Sequence, residues 1–142
     1  MFIKQLSVFI ENREGRLEKV TETLGKNDVN IVCISLADTS EYGMLRMIVS
    51  NPERAKDILK NDGFSAMLTD VVAVRIPHHF GSLYKLTKAM SEKGLNIEYM
   101  YALTSGMDNA SIIIKSSDNH TTLEVVKECG LELVAPDEAY SL

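Results

Sequence analysis

The sequence predicts an α+β fold built from two tandem βαββαβ modules, and three observations predict it. The 142-residue chain matches itself when shifted by 66 residues, each copy passes through the same order of hydrophobic periods, and turn-forming residues separate those periods.

In the shifted comparison, residues 6–37 meet residues 72–103 with eight identities in 32 positions, against roughly two expected by chance. The identical pairs are Val8/Val74, Ile10/Ile76, Gly15/Gly81, Leu17/Leu83, Lys19/Lys85, Thr21/Thr87, Asn30/Asn96 and Ile31/Ile97. Modules over 1–70 and 71–142 follow from this repeat.

The first element of each copy alternates, Leu6, Val8, Ile10 and Val72, Val74, Ile76, which is the pattern of a strand with one buried face. A glycine turn follows. Then Leu17, Val20, Leu24 and Leu83, Leu86, Met90 recur three and four residues apart and form one apolar stripe on a helix of about three turns. Two more strands are predicted over 29–37 and 44–49, and in the second copy over 95–103 and 110–115, with polar turns at 38–43 and 104–109. Asn51-Pro52-Glu53 reads as a cap, a first helical residue and an acid matched to the helix dipole, opening a helix that carries Ala55, Ile58 and Leu59 and stops near Gly63. Its counterpart runs from Asp118 through Val125 and Val126 to Gly130. A last, weakly patterned strand is expected at 64–68 and again at 131–134.

This order favours a split βαβ, ferredoxin-like sandwich: a four-stranded antiparallel sheet with both helices on one face. Each module has only about 70 residues and a marginal core alone. The expected remedy is that the two pack side by side, covering open strand edges.

Composition excludes several functions. Fifteen basic and 20 acidic side chains are mixed along the chain, giving a net charge of −5, which argues against a nucleic-acid partner. No apolar run approaches the roughly 18 residues of a membrane span, and residues 1–4 do not open a signal peptide, so no membrane partner and a cytoplasmic location are expected. Cys33 and Cys129 lie far apart without CxxC spacing, which predicts two reduced, at least partly buried thiols and no metal site. His78 and His79 are adjacent, so their rings tend to diverge; they read as part of a loop shaping a pocket. Tyr99 and Tyr101 share one strand face, as packing residues or a pocket wall. No GxSxG, P-loop or HExxH motif, and no cysteine near a histidine, suggests an enzyme or a cofactor.

Between the first strand and helix the chain reads Glu11-Asn12-Arg13-Glu14-Gly15-Arg16-Leu17, and Asp28-Val29-Asn30-Ile31 heads the second strand. The second copy has Asn96-Ile97-Glu98-Tyr99-Met100-Tyr101 at the matching place. These segments resemble the ACT domain, the regulatory module beside amino-acid enzymes such as phosphoglycerate dehydrogenase and aspartate kinase, and the resemblance covers nearly the whole chain twice. It implies a ligand site between neighbouring modules, with Asn12, Arg13, Gly15, Arg16 and Leu17 facing Asn96 and Ile97. The reciprocal site would set His79, Phe80, Gly81, Ser82 and Leu83 against Asn30 and Ile31. The first site keeps the family pattern more fully, because His78-His79-Phe80 replaces the polar run in the second. Glu14 stands where the family often has proline, with Arg13, Arg16 or a ligand amine as its expected partner. Physically, amides opening a helix after glycine bind a carboxylate, and the Asn12 side-chain oxygen accepts from an ammonium group. The plainer reading of the same residues is that the glycines serve tight turns and the asparagines cap the entry to strand two.

The implied function is an amino-acid sensor with regulatory output through a homodimer, a regulated enzyme or another protein. The competing reading is a ligand-free interaction module that pairs through its exposed sheet edges.

Overall fold

The computed structural model describes residues 2–38 and 41–142. Part of the turn expected over 38–43, Thr39 and Ser40, lies outside the described residues. The elements are β1 (Ile3–Glu11), α1 (Arg16–Lys26), β2 (Ile31–Asp38), β3 (Tyr42–Val49), α2 (Pro52–Asn61), β4 (Ser65–Pro77), α3 (Ser82–Glu92), β5 (Ile97–Ser105), β6 (Asn109–Ser116), α4 (Asn119–Glu128), β7 (Glu132–Leu133) and α5 (Pro136–Ser141). They form two compact units, one of residues 4–69 with 140–142 and one of residues 70–139 with the first described residues, 2 and 3.

In the first unit the strand order is β2–β3–β1–β4. β1 runs antiparallel to β3 with Val8 opposite Leu45 and Ile10 opposite Gly43, and Leu36 of β2 also lies opposite Leu45. The alternation read from the sequence becomes one buried face: Leu6, Val8 and Ile10 meet Val20 and Leu24 of α1, Leu45, Met47 and Val49 of β3, and Ala55 and Leu59 of α2. Fully burying a side chain such as Leu24 contributes about 1.5–3 kcal/mol, which offsets the entropy of ordering so short a helix.

The second unit repeats this plan in the order β5–β6–β4–β7. Val74 lies opposite Ile112 and Ile76 opposite Ala110, while Ala102 of β5 also faces Ile112. Its core gathers Val72, Val74, Ile76, Leu86, Met90, Ile114, Val125 and Val126. Both units are therefore the βαββαβ sandwich that the periodicity predicts.

Three features differ from the expectation. The strands expected at 64–68 and at 72–76 are parts of one strand, β4, because residues 65–76 contain neither glycine nor proline and carry the β-branched Thr69, Val71 and Val72. A short helix, α5, occupies the tail; Pro136 opens it and Asp137 and Glu138 favour its first turn, but six residues are too few to show a period. Cys129 is exposed, because it caps the C-terminus of α4, while Cys33 is half-buried and burial pushes its thiol pKa up. Among the described residues no helix is long and apolar enough to cross a membrane.

Candidate functional site

The two glycine loops have the same backbone. Asn12 donates its amide to Glu41 O at 3.0 Å, Arg13 to Glu11 O at 2.9 Å, and Lys19 to Gly15 O at 3.0 Å. In the second unit His78 donates to Asp108 O at 3.0 Å, His79 to Pro77 O at 2.9 Å, and Lys85 to Gly81 O at 2.9 Å. Gly15 and Gly81 stand at φ 84° and 82° as the N-caps of α1 and α3. A left-handed residue is required there, and glycine adopts it without steric cost. Nothing lies within 4 Å of a Cβ built on either glycine, so conformation, not crowding, selects it.

Glycine also has no side chain with which to cap. Asn51 accepts from the Arg54 amide at 3.2 Å at the start of α2, and Asp118 accepts from Thr121 N at 3.2 Å and Thr121 Oγ1 at 2.9 Å at the start of α4. α1 and α3 have no such bond. The Arg16 and Ser82 amides donate to Arg13 O and His79 O at 3.5 and 3.1 Å, which leaves the next amides, of Leu17 and Glu18 and of Leu83 and Tyr84, without a side-chain acceptor at the positive end of the helix dipole, an arrangement suited to an anion.

The two Asn-Ile segments are equally alike. The Asn30 amide donates to Ser50 Oγ at 2.9 Å, and the Ser50 amide donates back to Asn30 O at 2.9 Å. Asn96 and Ser117 repeat this exchange at 3.1 and 2.9 Å. Both asparagines are exposed, while Ile31 and Ile97 pack against their own cores. In each unit the loop and the Asn-Ile segment lie beyond opposite ends of an 11-residue helix, about 16 Å long. No unit brings its own two segments together.

The predicted side chains divide. Asn12 is exposed at the loop, and Leu17 and Leu83 are 36% and 40% exposed. Arg13 pairs with Glu11 at 2.9 Å, not with Glu14. Arg16 turns back onto its own core, its guanidinium carbon 4.7 Å from the centre of the Phe64 ring and its Nε buried without a hydrogen-bond partner. This makes it a packing residue in the described geometry.

His79, Phe80, Ser82 and Leu83 line a cavity of about 620 Å³ in the second unit, together with Ile76, Pro77, His78, Ala110 and Ile112. Ile76, Ala110 and Ile112 were invisible as site residues in the sequence, where alternation marks them only as strand core. His78 is fixed by a contact of 2.8 Å from Nε2 to Gly106 O, and Phe80 is fully exposed. Tyr99 and Tyr101 stack with ring centres 6.5 Å apart and planes 22° apart. Among the described residues no group of three or more His, Cys, Asp or Glu side chains is placed to hold a metal.

Residues 1–142 match the family model described as an ACT domain pair. A protein of Bacteroides thetaiotaomicron of known crystal structure is 39% identical, with a TM-score of 0.93 over 100% of this chain and 98% of that one. The ligand-free regulatory subunit of aspartate kinase from Thermus thermophilus is 19% identical, with a TM-score of 0.67 over 90% of this chain and 93% of that one. The regulatory subunit of aspartate kinase from Thermus flavus is 21% identical, with a TM-score of 0.62 over 89% and 92%. These two share the fold. No curated protein matches the chain. The family match and the 39% identity over the full alignment agree with the repeated βαββαβ units and their paired glycine loops: the chain belongs to the ACT domain pair family.

Proposed function

We propose that this chain is a sensor that binds a free amino acid and passes its binding on as a change in affinity for another protein. The observation that carries the reading is the contrast among helix starts: α2 and α4 are closed by Asn51 and Asp118, whereas α1 and α3 begin at glycine with no side-chain acceptor. A ligand carboxylate supplies the missing acceptor. Asn12, Asn30 and Asn96 offer exposed side-chain oxygens to its ammonium group. Because about 16 Å of helix separates the loop from the Asn-Ile segment inside one module, a ligand held at one glycine loop, by Asn12, Gly15 and Leu17 or by Gly81, Ser82 and Leu83, does not also reach the Asn-Ile segment of the same module.

A useful switch needs a coupling of about 1–3 kcal/mol between ligand and partner. A homodimer in the cytoplasm is the proposed setting. Exposed Phe9 and Tyr42, on the sheet face opposite Leu6, Val8 and Ile10, support a protein contact there. A solution mass of one chain alone would remove the dimer from this reading.

The test is thermal unfolding of the full chain against each of the twenty amino acids at millimolar concentration. A selective rise in melting temperature, reduced in Asn12→Ala, Asn30→Ala or Asn96→Ala, supports the sensor. No rise with any amino acid would favour the ligand-free interaction module, with β2 as the docking edge.

A further inference from the structure

We infer that the second module holds the amino-acid site of this chain, and that its ligand carries a bulky apolar side chain of the leucine, methionine or phenylalanine kind. The inference rests on the sensor reading above and adds to it where the ligand sits and what it is.

One matched pair of positions sets the loop ends of the two modules apart. In the first, Leu36 lies opposite Leu45 and Gly43 lies opposite Ile10. In the second, Ala102 lies opposite Ile112 and Ala110 opposite Ile76. Directly opposed residues share a face, so Leu36 and Ala102 stand at equivalent places on the helix-covered side, at the sheet end nearest the glycine loop. Leu36 lies over Gly43, its Cδ1 3.1 Å from where a Cβ would stand there and next to Ile10. Gly43 thus makes room for a leucine that lies across the loop end of the first sheet beside Ile10 while staying half exposed. The second module has only an alanine methyl at position 102, opposite Ile112, and Ile112 is a wall of the cavity of about 620 Å³ together with Ile76, Ala110, Phe80 and Leu83. Its volume falls in the range of about 300–1,000 Å³ typical of small-molecule sites.

Charge points to the same module. In the first module Arg13 is paired with Glu11, Arg16 lies over Phe64 and Lys19 stands 4.0 Å from Asp62, which leaves Glu14 and Glu18 beside the loop and first turn, where a carboxylate ligand would meet repulsion. The first turn of α3 has no acidic residue, and no carboxylate lines the cavity. His79 and Lys85 stand together in an adjoining cleft. The uncapped amides after Gly81 take the carboxylate and the apolar walls take the side chain.

The experiment is calorimetry on the full chain with leucine, methionine and phenylalanine, and with glycine, alanine and serine. The double substitution Ala102→Leu with Ala110→Gly carries the Leu36–Gly43 pair into the second module, and Leu36→Ala controls for disturbance of an edge strand. The expected result is one ligand per chain, with at least one bulky apolar amino acid binding about tenfold or more tightly than the small ones. The double variant weakens that binding about tenfold or more, and Leu36→Ala leaves it within about twofold. Equal binding of small and bulky amino acids, an unaffected double variant, or equal losses in the double variant and in Leu36→Ala would overturn the cavity as the site while leaving the sensor standing. No binding of any of these six, with no thermal shift from any of the twenty amino acids, would overturn the sensor and this inference together.

Discussion

Asp118 and Asn51 close the first turns of α4 and α2 in the same way, yet only one of them titrates. The Thr121 backbone amide and hydroxyl hold the Asp118 carboxyl below the usual carboxylate range. Its folded pKa is thus depressed, so the stability it lends is present above the ordinary carboxylate pKa and is lost as pH falls through the lowered value. Wild type should therefore lose more melting temperature than Asp118→Asn between about pH 5 and about pH 2.5, since asparagine caps without a charge to lose. Parallel losses in the two proteins would show that the cap carries no linkage. Asn51→Ala removes an acceptor from Arg54 N and should cost about 1 kcal/mol in denaturant unfolding. Gly15→Ala should cost about 1–2 kcal/mol from backbone strain alone, as no atom crowds the new methyl. With a thiol reagent at mildly alkaline pH, exposed Cys129 should react before Cys33, whose half-burial both shields the sulfur and raises its pKa. Both caps were legible in the sequence, because capping is local chemistry. The exposure of Cys129 and the fold-back of Arg16 onto Phe64 were not, because each depends on a partner or a helix end that spacing alone does not locate.

At the scale of elements, α1 and α3 each hold to their unit by a few fully buried side chains. Val20 and Leu24 on one and Leu86 and Met90 on the other have no exposed surface. Leu24→Ala should destabilise by about 2–5 kcal/mol in chemical denaturation, a large share of the stability of any small domain. A loss under about 1 kcal/mol would mean that the core collapses around the gap. These helices were legible because their apolar residues recur three and four apart on single faces. β4 and α5 were not. A repeat suggests one strand ending before the next begins, but backbone propensity across residues 65–76 favours extended structure without a break. α5 is fixed by particular contacts, the buried Ala139 and the Arg75–Glu138 pair at 2.6 Å, which no periodicity announces.

For the whole molecule, the duplicated plan was written in the repeat, down to the paired φ angles of Gly15 and Gly81 and the matched backbone exchanges of Asn30 with Ser50 and Asn96 with Ser117. The asymmetry was not. The first loop keeps the family pattern more fully, yet the cavity belongs to the second unit, since it depends on which side chains cross-strand register places over the loop end. A shift of register within β5 separates the Ala102–Ile112 and Thr104–Ser111 pairings, and a linear comparison of the two copies passes over it. If the sensor reading holds, a ligand at about 100 times its dissociation constant adds about 2.7 kcal/mol and should raise the melting temperature by roughly 5–10 °C. A rise of this size that disappears in the cavity-filling double variant would join the repeat's function to its second half.

The glycines that open α1 and α3 also leave a kinetic signature. The amides of Arg54 and Thr121 are bonded to a neighbouring side chain and should trade their hydrogens for deuterium slowly, whereas those of Leu17, Glu18, Leu83 and Tyr84 have no side-chain acceptor and should trade quickly in helices otherwise protected. A carboxylate resting on one of these turns would slow two or three backbone positions and few others, so an isotope-exchange map would report occupancy and name the occupied turn at once.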